Sequence, residues 1–245
     1  MNVAFLGATR GMGRALARKM AERGDRLVLL GRRLDELERS ARDLEVRGAR
    51  GEVEVGECDL ERPETFEPAL DEAVQILGAL DAVVVTAGAF ATQAELEADT
   101  QKARHLATIN FANTLAFCEA ARVRLLAGGG GTLCVFSSVA GDRGRKPVII
   151  YGASKAGLSH YLEGLDHKYR GEGLRVVTVK PGFIKTGMTA DLEPPPFAGD
   201  PDEVADVVVR AIDRGQPVVY APPIWRWVMC VIRRLPRAVM RRVQF

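Results

Sequence analysis

The chain has 245 residues, 47% of them apolar and 27% charged, with a formal net charge of +2; this is ample for a packed core and excludes a disordered or fibrous chain. Four cysteines (Cys58, Cys118, Cys134, Cys230) form no CxxC pair and the three histidines lie far from them, so neither a disulfide framework nor a metal centre is expected. Seven arginines and no acid occur from Arg214 onward, leaving 27 basic against 32 acidic side chains in residues 1–213, which argues against a nucleic-acid surface on the main body.

The first apolar run, VAFLGA, lacks a charged leader and is too short for a secretion signal or a membrane span. With the unpaired cysteines it sets the expectation of a reducing, cytoplasmic setting. Short apolar runs, several of them β-branched, follow at VAFL (3–6), RLVLL (26–30), EVEV (52–55), AVVV (82–85), TLCVFS (132–137), RVVTV (175–179) and PVVY (217–220), with amphipathic segments between nearly all of them. Runs apolar on both faces, alternating with helices, predict a doubly wound parallel sheet, a Rossmann-like α/β fold covered on both sides. A long helix is expected from near Asp99 to a GGGG turn at 128–131. EPPPFAGDP (193–201) reads as a Pro-rich loop, with Asp200 capping and Pro201 opening the next helix. The loop 187–200 is a candidate substrate lid. The expected organisation is one catalytic domain over 1–222 and a C-terminal extension over 223–245.

In such sheets ligands bind beyond the carboxyl ends of the strands. After the first strand, GATRGMG places Gly7, Arg10, Gly11, Met12 and Gly13 at a turn that opens a helix, a geometry suited to a pyrophosphate. After the second, an NAD site usually carries an acid for the adenosine ribose, but here Gly31, Arg32 and Arg33 follow. Arginine suits a 2′-phosphate, and Arg10 lies within reach of the same group, so NADP(H) is the expected cofactor. The alternative is that Arg32 and Arg33 are the solvated start of a helix, although a helix N-terminus disfavours cations. Asp59 and Leu60 after the third strand, and Ala87 and Gly88 after the fourth, are further candidate contacts.

The fifth strand ends in FSSVAG, with Ser138 thirteen residues before Tyr151, and Tyr151 stands one helical turn before Lys155. A cation beside a phenol on one helix face favours the phenolate. This set resembles the classical short-chain dehydrogenase/reductase family over roughly residues 1–220. The glycine turn matches Gly7, Gly11 and Gly13, the YxxxK pair matches Tyr151 and Lys155, the serine matches Ser138, the helix asparagine matches Asn110, and P-G-x-x-x-T matches Pro181, Gly182 and Thr186. Leu6 and Thr86 depart from the threonine and asparagine that are common at their positions, which bears on cofactor affinity.

The resemblance implies an NADP(H)-dependent oxidoreductase that interconverts a carbonyl and a secondary alcohol. Tyr151 would carry the proton, Ser138 would hold the substrate oxygen, Lys155 would hold the nicotinamide ribose and, with the positive ring of the oxidised cofactor, lower the tyrosine pKa, and Asn110 would hold a water linking Lys155 to solvent. Pro181, Gly182, Ile184 and Thr186 would fix the carboxamide. A homodimer or homotetramer through helices near 100–127 and 150–170 is implied as well. The alternative from another class is a non-catalytic dinucleotide-binding sensor or regulatory subunit.

Residues 224–245 carry six arginines and no acid. At 100° per residue Arg226, Arg233, Arg234, Arg237 and Arg241 share one side, while Trp225, Val228, Ile232, Leu235, Val239 and Val243 share the other, with a break at Pro236. Such a helix suits either an anionic membrane surface or packing onto the domain or a dimer partner. The tail also resembles that of bacterial reductases such as the keto-reductase of decaprenylphosphoryl-arabinose synthesis, which implies a hydrophobic or lipid-linked substrate.

Overall fold

The computed structural model describes residues 1–190 and 193–243. Asp191 and Leu192 of the expected lid, and Gln244 and Phe245 of the tail, lie outside the described residues. Seven strands form one all-parallel sheet: β1 Asn2–Leu6, β2 Arg26–Gly31, β3 Glu54–Glu57, β4 Ala82–Val85, β5 Gly131–Phe136, β6 Leu174–Pro181 and β7 Val218–Ala221, in the order β3-β2-β1-β4-β5-β6-β7. Alternation along each strand splits the core in two. Val3, Phe5, Ala82 and Val84 face helices α1 (Gly11–Glu22), α2 (Leu34–Val46) and α8 (Pro201–Arg214). Ala4, Leu6, Val83 and Val85 face α3 (Phe66–Leu77), α6 (Thr114–Ala127) and α7 (Ile149–Tyr169). Burial on both sides is why these strands read as unbroken apolar runs. The order reverses between β1 and β4, so a crevice opens where their carboxyl ends diverge.

Three local expectations are corrected. The third strand begins two residues later than EVEV, because the Glu45 carboxylate accepts from the Val53 amide at 2.8 Å and pairing with β2 starts at Val28↔Glu54. The glycine turn ends at Gly130, and Gly131 already opens β5, donating to the Gly173 carbonyl at 3.1 Å. Asp200 precedes Pro201 as expected but makes no side-chain cap bond.

The helix expected from Asp99 is there, with Asp99 capping the amides of Gln101 and Lys102 at 2.9 and 3.0 Å. It is not uniform. Helix α5 (Thr100–Ala107) passes through a π-helical turn at Thr108–Asn113 before α6. A short helix α4 (Gln93–Ala98), closed by a capping box between Thr92 and Glu95, precedes it. The tail forms α9 (Trp225–Ile232) and α10 (Arg237–Met240), with Pro236 between them.

The tail packs onto the body rather than standing apart from it. Trp225, Met229 and Ile232 are buried with Val139 and pack against Phe183 and Tyr220. Gly182 makes room for the indole: a Cβ there would lie 2.0 Å from the Trp225 ring nitrogen. Among the described residues no helix is long and apolar enough to cross a membrane.

Candidate active site

The glycine turn is held by contacts that admit no side chain. Gly7 has φ 101°, and a Cβ on Gly13 would lie 2.1 Å from the Gly7 carbonyl oxygen. Thr86 accounts for its own departure from the asparagine motif: its hydroxyl donates to the Gly7 carbonyl at 2.9 Å, tying the end of β4 to the turn. Gly11, at φ 51°, faces Thr186, and a Cβ on it would lie 3.3 Å from the threonine methyl carbon. The turn and the segment after β6 thus lie against each other.

Two further glycines bring the serine and the tyrosine together. The turn after β5 (Val139–Gly141) meets α7 so closely that a Cβ on Gly141 would lie 2.7 Å from the Lys155 carbonyl carbon, and one on Gly152 would lie 2.8 Å from the Ala140 oxygen. Ser137 fastens this contact by donating to the Lys155 carbonyl at 2.9 Å and sharing a hydrogen bond with Ser159 at 2.7 Å. Ser138 accepts from the Ala140 amide at 3.1 Å. Tyr151 is half-buried, its ring edge-to-face with Phe90 at 5.2 Å between centroids. Lys155 is 6% exposed and its Nζ donates to the Phe136 carbonyl at 2.9 Å.

Asn110 sits in the π-helical turn, fully buried. Its carboxamide grips the backbone of Ala89, accepting from the amide and donating to the carbonyl, each at 2.8 Å. Both polar atoms of the side chain are therefore engaged by protein. Gly88 next to it keeps the floor open: a Cβ there would lie 3.1 Å from the Asn110 oxygen and 3.6 Å from Lys155 Nζ.

Burial governs the electrostatics of the tyrosine and the lysine. Burial raises the Tyr151 phenol above its ordinary value, and the Ser138 hydroxyl draws it part of the way back. In the protein alone the phenol is thus shifted up, not down. Lys155, 6.0 Å from the ring centroid, is itself pushed down to about 8 by burial. The desolvated setting disfavours the charged form of both groups.

At the end of β2 three arginines surround the opening. Glu36 in the first turn of α2 bridges two of them, accepting from Arg10 at 2.7 Å and Arg33 at 2.8 Å. Arg32 turns to Glu61 at 3.2 Å. Glu36 gives no signal in the sequence, because an acid in a first helical turn has an ordinary explanation. Asp59 folds back on its own turn, Oδ1 accepting from the Glu61 amide at 3.0 Å. Leu60 and Ile184 are buried in the core, so they offer a ligand backbone groups rather than side chains, and the Leu60 carbonyl already accepts from Asn113 at 2.6 Å. Pro181 closes β6, and Met12 lies half-buried against the core of the α1 face. Ala87 packs at the end of β4.

Residues 2–196 match the family model described as short chain dehydrogenase. The chain belongs to this family. An uncharacterised oxidoreductase of Mycobacterium tuberculosis H37Rv is 32% identical over 241 residues, covering 98% of this chain and 96% of that protein. One from Streptomyces coelicolor is 35% identical over 245 residues, covering 97% and 94%. Carbonyl reductase family member 4 of Xenopus tropicalis is 30% identical over 223 residues, covering 86% and 90%. Among solved structures, a short-chain type dehydrogenase/reductase from Mycobacterium ulcerans superposes with a TM-score of 0.81 at 22% identity, over 89% of this chain and 86% of that one. The protein is thus an oxidoreductase of the short-chain dehydrogenase family, whose members use a nicotinamide dinucleotide. The seven-stranded sheet covered on both faces is the fold expected from the sequence.

Proposed function

We propose that the protein is an NADP(H)-dependent carbonyl reductase or alcohol dehydrogenase in which Tyr151 transfers the proton. The observation that carries this reading is the convergence of Ser138, Tyr151 and Lys155 at the carboxyl end of β5, with Gly88 and Asn110 directly behind them. The residues fit a dinucleotide: Gly7 and Gly13 leave a turn that no side chain could enter, and Gly88 leaves the approach to Lys155 open. When bound, the nicotinamide supplies or accepts the hydride. Gly11, Met12 and Gly13 would hold the pyrophosphate at the N-terminus of α1. Lys155 would hold the ribose hydroxyls, and the segment from Pro181 to Thr186 would hold the carboxamide.

In the reducing direction Ser138 donates to the carbonyl oxygen and orients it. Tyr151 then releases its proton to that oxygen as charge develops there. Burial keeps the phenol protonated at neutral pH, which suits a proton donor. Since the Asn110 carboxamide is engaged with Ala89, reprotonation through a water held at this helix would use the main chain of the π-helical turn, where an altered hydrogen-bond register offers carbonyls. Phe90, Ala91, Leu96 and Ile150 make the surroundings of Tyr151 apolar, which supports a hydrophobic carbonyl substrate.

The preference for NADP(H) rests on Arg10, Arg32 and Arg33 around the end of β2 and on Gly31 where an acid would serve NAD. The test is NADPH and NADH oxidation with a panel of ketones, quinones and acyl carbonyls, alongside cofactor binding by fluorescence. We expect kcat/KM at least about tenfold higher with NADPH, the equivalent of about 1.4 kcal/mol. The double substitution Gly31→Asp with Arg32→Ala should move preference toward NADH. Equal use of both cofactors would contradict the assignment of the arginines. Binding without turnover across the panel would favour a sensor.

A further inference from the structure

The fold joins two basic segments that are far apart in the chain. Arg143 donates to the Leu235 carbonyl and Lys146 to the Arg241 carbonyl, each at 2.8 Å, so the loop after Ser138 lies directly against the tail. The acid of this region, Asp142, is withdrawn: its carboxylate accepts from Lys180 at 2.6 Å and from Tyr220 at 2.7 Å. Arg226, Arg233, Arg234, Arg237, Arg241 and Arg242 are exposed and make no ion pair among the described residues, and residues 224–245 carry no acid to neutralise them.

The side of α9 that packs inward is Trp225, Met229 and Ile232, which takes up Trp225 and Ile232 of the apolar side expected from the sequence and adds Met229. It does not account for a second apolar stripe. Ile224, Trp227 and Val231, spaced as helix neighbours, are 41%, 66% and 62% exposed, and Val239 of α10 is 41% exposed. The Arg226 guanidinium lies 5.8 Å from the Trp227 ring centre. An exposed tryptophan and two aliphatic side chains surrounded by unpaired cations complement a surface that is apolar beneath a negative layer.

We propose that α9, α10 and the loop 143–146 form a docking face for an anionic phospholipid bilayer, with Trp227 and Val231 entering the interface and the arginines lying among the headgroups. This face adjoins the turn that carries Ser138 through Val139, which packs against α9. Docking would therefore bring the substrate end of the site to the bilayer.

The test uses the full chain with vesicles of neutral lipid and of neutral lipid mixed with about one-third anionic lipid, scored by co-sedimentation and by tryptophan emission. Trp225 is buried and Trp227 is exposed, so any blue shift on docking reports Trp227. We expect sedimentation with anionic vesicles at low salt, its loss in high salt and with neutral vesicles, and a blue shift that Trp227→Phe abolishes. Each arginine near an anionic leaflet contributes roughly fivefold in partition, so Arg234→Glu with Arg237→Glu should lower binding by more than about twentyfold while leaving the melting temperature and the turnover of a water-soluble ketone unchanged. Failure to sediment with anionic vesicles overturns the proposal. So does sedimentation without any emission shift that heparin competes away, because the face would then bind polyanions in general. If Trp227→Ala instead splits an oligomer and vesicles are ignored, the stripe is a contact with a second copy and the proposal is wrong.

Discussion

Replacing Trp225 with alanine separates the inner face of the tail from its outer one. The indole is 8% exposed, lies among Val139, Met229 and Ile232, and donates from its ring nitrogen to the Phe197 carbonyl at 3.3 Å. Truncating a buried tryptophan to alanine costs about 3–5 kcal/mol, transfer and cavity together. The hydrogen bond adds at most about 1 kcal/mol, because Phe197 is exposed and its carbonyl regains water. Taking about 4 kcal/mol, and about 2–4 °C per kcal/mol for a chain of this size, the melting temperature should fall by about 8–16 °C. Thermal unfolding followed by circular dichroism, with urea titration as a check on ΔG, measures it. Trp227→Ala, at an exposed position, should stay within about 0.5 kcal/mol of the parent. The site should also feel the first change, since Trp225 holds Phe197 and fills the space over Gly182, so KM should rise with little change in kcat. A melting temperature for Trp225→Ala within about 2 °C of the parent would refute the reasoning and return the tail to an appendage.

Glu36→Gln removes the carboxylate that holds Arg10 and Arg33 and would face a 2′-phosphate; NADPH should bind about fivefold tighter while NADH changes little, as read by fluorescence titration, the gain being that of about 1 kcal/mol at an exposed site. The pH profile should differ by direction. Carbonyl reduction needs the protonated phenol, raised by burial, and the Lys155 ammonium, lowered to about 8; kcat/KM for reduction should be flat near neutrality and fall above about pH 8 as Lys155 loses its proton. Alcohol oxidation needs the phenolate and should climb with pH until the same loss limits it, so stopped assays in both directions check the sign.

Most of the sheet is legible in the sequence because β1, β2, β4 and β5 are covered on both faces and carry apolar runs, and β6 is broken only by Arg175 and Thr178 before Val179. The third strand differs from its expected position by two residues at the sheet's edge, where E-V-E-V-G-E alternates without fixing an end and the deciding contact, Glu45 to the Val53 amide, comes from α2. The association of Tyr151 with Lys155 can be read from helical spacing, and that of Ser138 with both from the family resemblance. The means of pairing them cannot: Gly141 and Gly152 matter through what they approach, and Ser137 through a bond across 18 residues. The same holds for Glu36, whose partners lie 26 residues before it and 3 residues before it. The π-helical turn at Asn110 leaves no sign in composition, and the upward shift of Tyr151 comes from burial, which only the fold reveals. In the tail, periodicity places Trp225 and Ile232 on the face that packs, but it misses Met229, which is fully buried, and it puts Val239, which is 41% exposed, on the inner side; the loop 143–146 and the second stripe left outside require the fold.

Tyr151 as the proton carrier is the central claim, and Tyr151→Phe tests it most directly, because the substitution deletes the hydroxyl and keeps the ring against Phe90. Single-turnover and steady-state reduction of the best ketone from the panel should fall by about 10²–10⁴-fold, with NADPH affinity and melting temperature unchanged. Turnover within a few-fold of the parent enzyme, with NADPH bound normally, would contradict the assignment of Tyr151.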